Sequence, residues 1–176
     1  MKRIIVLILA FCMIFAVSCG TKTTNKPQTT EKPSNPQPIE KPATESITLY
    51  YTDSGASGLY AEERKIDASK AKDATTVVEE LLKGTTSDGL VSVIPEGTKL
   101  NSCAVQDGLC TLDLSSQFIS NSGTANVQLS IYSVVNTLCL LDDVKEVKFL
   151  IDGKEVMIYG SYIFCEPFEP DTTIVK

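Results

Sequence analysis

Asp113, Ser115 and Ser116 fall in quick succession within Cys110–Phe118, "CTLDLSSQF". An acid beside two hydroxyls is the raw material of nucleophilic catalysis, with a serine as the attacking group. That chemistry needs a base to take the serine proton, usually His and sometimes Lys. The chain contains no His, and this stretch contains no Lys. Asp113 also closes an apolar alternation, where Asp and Ser side chains bond neighbouring backbone groups and end a strand. The stretch therefore reads as a strand end, and the sequence assigns no catalytic residue.

Other chemically able groups give the same answer. Glu62-Glu63-Arg64-Lys65 could hold a cation or a partner, but it reads more simply as a solvated strand with cross-strand charge pairs. Glu166, Glu169 and Asp171 lie in a tail with no calcium-loop signature. There is no CxxC and no glycine-rich phosphate loop, so neither metal nor cofactor is expected. Cys103, Cys110, Cys139 and Cys165 all sit in apolar stretches. An even count outside the cytoplasm permits bridges, but buried thiols behave as small hydrophobes. They read as core thiols, with Cys103 and Cys110, which share a hairpin, as the pair best placed to be an exception.

Several elements must position these residues. Residues 47–53 and 59–66 have strand composition. Residues 73–84 form a helix capped by Asp73 and ended by Gly84, with Val77, Val78, Leu81 and Leu82 on one face. Residues 98–115 form a hairpin turning at Asp107-Gly108, which places Cys103 opposite Leu112. Residues 126–141 form a second helix, with an apolar stripe through Val127, Ile131, Val134, Val135 and Leu138. Asn121, Ser122 and Thr124 are its candidate caps. Residues 144–160 read as a second hairpin, turning at Asp152-Gly153. This order predicts an α+β fold, a two-layer sandwich with two helices packed on one face of a mostly antiparallel sheet.

The chain opens with Lys2 and Arg3, then an unbroken apolar run from Ile4 to Val17. That run has signal-peptide length and falls short of the ~20 residues that span a bilayer. "AVSC", Ala16–Cys19, resembles the lipobox of bacterial lipoproteins, with Ala16 where Leu is commoner. The resemblance implies a signal peptide over 1–18 and a lipidated Cys19 at the mature N-terminus. Residues 20–46 hold five prolines, six threonines and a single large aliphatic residue, Ile39, so 19–46 is read as a lipidated, disordered linker. A flexible linker of this size spans ~30 Å, and an extended one up to ~80 Å. Loss of Lys2 and Arg3 moves the net charge from −6 to −8. So acidic a domain repels nucleic acid and anionic headgroups, which leaves membrane attachment to the lipid. The folded domain is expected over 47–168, and 169–176 is set apart as a tail.

Four stretches, "VVEELLKGTTSDGLVSVIPEGTKL", "DGLCTLDLSSQF", "IYSVVNTLCLL" and "VKEVKFLIDGKEV", resemble the GerMN domain of sporulation and spore germination proteins in Gram-positive bacteria. Leu81, Leu82 and Gly84 match its helix end, with Thr85 in place of the usual Pro. Ile94, Pro95, Gly97 and Thr98 match the entry to its hairpin, and Gly108, Asp113, Leu114 and Ser115 the hairpin itself. Asn136, Thr137 and Leu138 match its "NTL" motif. The resemblance implies a fold like the ring-building modules of bacterial envelope complexes and carries no catalytic residues. It implies a lipoprotein on the outer face of the plasma membrane, acting through protein contacts in envelope or spore assembly and germination. Its partners would be envelope proteins not identifiable from sequence, or a second copy of itself. The alternative is a lipoprotein that binds a small ligand or a cell-wall fragment.

Overall fold

A computed structural model describes residues 43–120 and 124–176. Cys19, the signal peptide over 1–18 and most of the linker lie outside the described residues, as do the candidate caps Asn121 and Ser122. Among the described residues no helix is long and apolar enough to cross a membrane.

The first sheet is built on β1 (Thr44–Asp53), rich in β-branched and aromatic residues. It pairs antiparallel with β2 (Leu59–Asp67) from Thr44↔Asp67 to Thr52↔Leu59, and with β3 (Leu90–Val91) only at Thr52 and Asp53. β1 thus takes Thr44–Ser46 from the stretch that composition assigns to the linker. Cross-strand chemistry explains the extension, because the Ser46 and Thr48 hydroxyls both donate to the Glu63 carboxylate at 2.7 Å.

Helix α1 (Ala74–Leu82) begins where expected. Asp73 accepts from the Thr76 N–H at 3.1 Å and from its hydroxyl at 2.6 Å. It buries Ala74, Val77, Val78 and Leu81, and the chain turns away at Gly84 with φ 84°.

The second sheet has the order β4 (Leu100–Gln106), β5 (Leu109–Leu114), β6 (Glu146–Ile151). The β4–β5 turn has positive φ at Asp107 (54°) and Gly108 (92°), and Cys103 lies opposite Leu112 as the spacing predicts. β6 departs from expectation. It runs parallel to β5 from Leu109↔Glu146 to Leu114↔Ile151, not as one arm of a hairpin. The turn at Asp152-Gly153 does form, with φ 48° and 74°, but its return arm makes one bridge, Ile151↔Lys154, and leaves. Topology is the reason: β6 is reached from β5 through α2 (Thr124–Leu138), and a crossover of that length delivers a parallel strand.

α2 carries more than one apolar stripe. Ser130, Ser133, Asn136 and Thr137 are buried along with Ile131, Val134, Val135 and Leu138. The chain then ends in a short hairpin, β7 (Ile158–Tyr159) with β8 (Tyr162–Ile163), and a tail. Phe118, Phe149 and Phe164 stack on one another and Phe168 packs against Phe149 and Phe164 at steeper angles, with ring centroids 5.0–6.3 Å apart. The architecture is α+β with mostly antiparallel pairing, as the sequence predicts.

Candidate interaction surface

The Asp113–Ser116 stretch ends a strand, and its groups bond backbone. Asp113 accepts from the Gly153 N–H at 2.9 Å, so β5 holds the turn that follows β6. The Ser115 hydroxyl accepts from the Lys99 N–H at 2.9 Å, and the Ser115 N–H donates to the Lys99 carbonyl at 2.9 Å. These partners lie 40 and 16 residues away in sequence, so the bonds fix tertiary geometry as well as the local turn.

Glu62 and Arg64 correct the picture of a solvated strand. Glu62 is only 4% exposed. One of its oxygens accepts from Thr85 Oγ1 (2.5 Å) and from the N–H groups of Thr86 (2.9 Å) and Ser87 (3.1 Å). The other accepts from Arg64 Nη2 (2.5 Å) and Thr86 Oγ1 (3.1 Å). Burial alone would raise its pKa. The bonds from Thr85, Arg64, Ser87 and Thr86 outweigh burial and hold the carboxyl at about 2. Thr85, where the resembling family carries Pro, is therefore a working member of the cluster. Arg64 completes the end of α1, donating to the carbonyls of Glu80 (2.6 Å) and Gly84 (2.7 Å), groups a helix terminus otherwise leaves unpaired. Tyr51 OH donates to the Gly84 carbonyl at 2.9 Å, and burial lifts its pKa to about 12. A carboxylate with both oxygens filled and a tyrosine this basic exchange no proton near neutrality. The cluster is a lock between β1, β2 and the end of α1.

The "NTL" motif is a second lock. Asn136 accepts from the Asp171 N–H (2.9 Å) and donates to the Asp171 carbonyl (2.8 Å), as a paired strand residue would. Thr137 Oγ1 accepts from the Tyr50 N–H (3.1 Å), Ser133 Oγ donates to the Tyr50 carbonyl (2.6 Å), and Leu138 is fully buried. One turn of helix therefore stands in for a missing strand beside β1 and fastens the C-terminal segment. Residues 169–176, set apart as a tail by the sequence, are bonded into the domain. The Lys176 N–H donates to the Leu59 carbonyl at 2.9 Å, and a Cβ on Gly58 would come within 2.7 Å of the Ile174 oxygen.

The four domain cysteines are free thiols, with Cys110 buried and the others half-buried. Cys103 and Cys110 lie 3.5 Å apart, sulfur to sulfur. Among the described residues no cluster of three or more metal-ligating side chains exists.

Among the described residues a few large apolar side chains are exposed, and three of them cluster. In the β7–β8 hairpin, Ile158 and Ile163 lie directly opposite each other and are 58% and 61% exposed, beside Met157 at 65%. The other side of the hairpin is fixed to the core: Tyr159 is buried and its hydroxyl donates to the Phe118 carbonyl at 3.1 Å. A would-be Cβ on Gly160 would meet Val127 at 3.0 Å, so the turn sits tightly on α2. A rigidly held hairpin that presents three large apolar side chains is suited to a macromolecular contact. Sequence reasoning passed over these residues because "VMIY" has the composition of an interior strand. An open groove of about 390 Å³ lies between the start of β1, Ala71-Lys72 and Leu140–Asp142.

Comparison with solved structures agrees with this fold. Tandem GerMN domains of the sporulation protein GerM from Bacillus subtilis match at a TM-score of 0.60 and 25% identity, over 82% of this chain and 50% of theirs. The chain thus spans half of that two-domain structure. The first GerMN domain alone matches at 0.51 and 24% identity, over 69% and 96%. A candidate lipoprotein from Clostridium perfringens matches at 0.53 and 19% identity, over 77% and 93%. No curated protein matches. Residues 48–157 match the model of the Germane family, described as sporulation and spore germination. That span covers most of the first sheet, both helices, the second sheet and the "NTL" motif, and the chain belongs to the Germane family.

Proposed function

We infer that this protein is a lipoprotein tethered through Cys19 to the outer face of the plasma membrane. Its domain works there by protein–protein contact in envelope or spore assembly and germination, without chemistry of its own. The observation that carries the reading is the exposed Met157, Ile158 and Ile163 surface on a hairpin anchored to the core. Membership of the Germane family and the likeness to a candidate lipoprotein support the setting. The commitment of Asp113, Ser115 and Glu62 to hydrogen bonds within the fold supports a role without catalysis.

Two variants in the native cell test this. Cys19→Ala is expected to appear in detergent-free supernatant. Ile158→Ser/Ile163→Ser is expected to stay on the membrane with an unchanged melting temperature, yet to lose its cross-links to envelope proteins and to impair spore formation or germination. A double variant that retains both cross-links and phenotype would refute the contact role.

A further inference from the structure

Cys103 and Cys110 are thiols to which the contact role gives no task. They flank the Asp107-Gly108 turn on the paired strands β4 and β5, and their sulfurs lie 3.5 Å apart. The register sets Cys103 opposite Leu112 and Cys110 opposite Val105, so the two are diagonal neighbours. They differ in access. Cys103 is half-buried between the exposed Ser102 and Ala104, whereas Cys110 is fully buried. A small oxidant can reach the first sulfur from solvent, and the second sulfur lies in contact behind it.

Their chemistry differs in the same sense. The hydrogen bond from Cys110 favours the thiolate of Cys103, the form that attacks an oxidant. The same bond, together with burial, keeps Cys110 protonated. Burial also holds Cys139 protonated, with a pKa of about 11. An accessible thiol of lowered pKa beside a second thiol is the arrangement of a reversible oxidation sensor. The register adds reversibility. Diagonal neighbours on a sheet stand about 7–8 Å apart at Cα, whereas a bridge draws its Cα atoms to about 4.4–6.8 Å. Closing this one pulls β4 toward β5 against their ladder, and strained bridges of that kind are readily reduced.

We propose that Cys103 and Cys110 form a reversible oxidation site, at which hydrogen peroxide closes a disulfide across the β4–β5 hairpin and a dithiol reopens it. The Cys103 sulfur attacks one peroxide oxygen and the O–O bond breaks. Cys103 becomes a sulfenic acid, and the other oxygen leaves as water with the Cys103 proton. The sulfenic acid is neutral, so the charge that held the proton on Cys110 is gone when Cys110 must release it. The Cys110 sulfur then attacks the Cys103 sulfur, the S–O bond breaks, and a second water carries off the Cys110 proton. Two thiols give up two electrons, and one peroxide is reduced to two waters. A dithiol returns the electrons and protons by exchange and is itself oxidised to a disulfide. The site acts whatever partner the β7–β8 hairpin meets.

Mass spectrometry of the full chain in detergent, treated with one molar equivalent of hydrogen peroxide, tests the assignment. The mass is expected to fall by about 2 Da, two hydrogens, and iodoacetamide labelling of Cys103 to fall about tenfold. Cleavage before Asp88, Asp107 and Asp113 puts Cys103 on fragment 88–106 and Cys110 on fragment 107–112. The two fragments are expected to stay joined until a dithiol is added. Cys110→Ala is expected to stop at the sulfenic acid, captured on Cys103 by a cyclic diketone, and Cys103→Ala to leave Cys110 unoxidised. The fragment map of the native chain holds whether or not either variant folds. Fragments that part without reductant overturn the proposal, as does a bridge from either cysteine to Cys139, to Cys165 or to a second chain. Oxidation of Cys110 at an unchanged rate in Cys103→Ala overturns it as well.

Discussion

Glu62→Gln keeps the shape of the buried side chain and removes its charge. In the native protein every neighbour of the carboxylate is a donor: Arg64, the Thr85 and Thr86 hydroxyls, and the N–H groups of Thr86 and Ser87. A carboxamide must turn its NH2 toward one set of these donors, and it leaves Arg64 without its closest counter-charge. Breaking one side of a buried ion pair costs about 3–5 kcal/mol. Proton linkage gives a similar figure, since moving the carboxyl from 4.5 to about 2 corresponds to about 3 kcal/mol. The folded pKa is the lower one, so this contribution is complete above pH 4.5 and is lost as pH falls through about 2. By pH 3 about 2 kcal/mol of it has gone. Urea unfolding at pH 7 and pH 3 reads both quantities. Glu62→Gln is expected to be less stable than the native chain by about 3 kcal/mol at pH 7 and by about 1 kcal/mol at pH 3. A loss below about 1 kcal/mol at pH 7, or a gap that does not narrow in acid, would refute the lock.

Asn136→Ala leaves the Asp171 N–H and C=O unpaired beneath the C-terminal segment. A stability loss of about 1–3 kcal/mol and faster proteolysis after Phe168 are expected, and an unchanged cleavage rate would show that the segment is held otherwise. The hydrogen bond from Cys110 lowers the pKa of Cys103, while that same bond and burial raise that of Cys110. Iodoacetamide is therefore expected to label Cys103 of the folded protein well before Cys110, followed by mass spectrometry, and the reverse order would contradict the geometry.

Features set by neighbours in sequence were legible from the residues alone. Asp73 caps α1, Gly84 ends it, and the Asp-Gly pairs at 107–108 and 152–153 adopt the positive φ values such turns need. The register that sets Cys103 opposite Leu112 follows from the first of those turns. Features set at a distance were not legible. Glu62 reads as a surface acid because its partners, Thr85 to Ser87, lie more than twenty residues away in a loop with no distinctive composition. Ser133 and Thr137 look like interruptions in an apolar helix until Tyr50, more than eighty residues earlier, brings them an unpaired backbone. The second hairpin failed for a related reason. Its turn is local and formed, but the partner of β6 was decided by the crossover through α2.

The antiparallel pairing of β1 and β2 also has a mechanical meaning. Anything joined ahead of Ala43 enters the domain through β1, at the far end from the β1–β2 connection. The direction of a load applied there depends on where the domain resists it. Resisted at the β1–β2 connection, it is shared in shear by all nine cross-strand pairs, from Thr44↔Asp67 to Thr52↔Leu59, whereas resisted beyond Asp67 it opens them one after another. A load that enters at Thr44 and is resisted at the β1–β2 connection therefore meets the first sheet along its stiff direction.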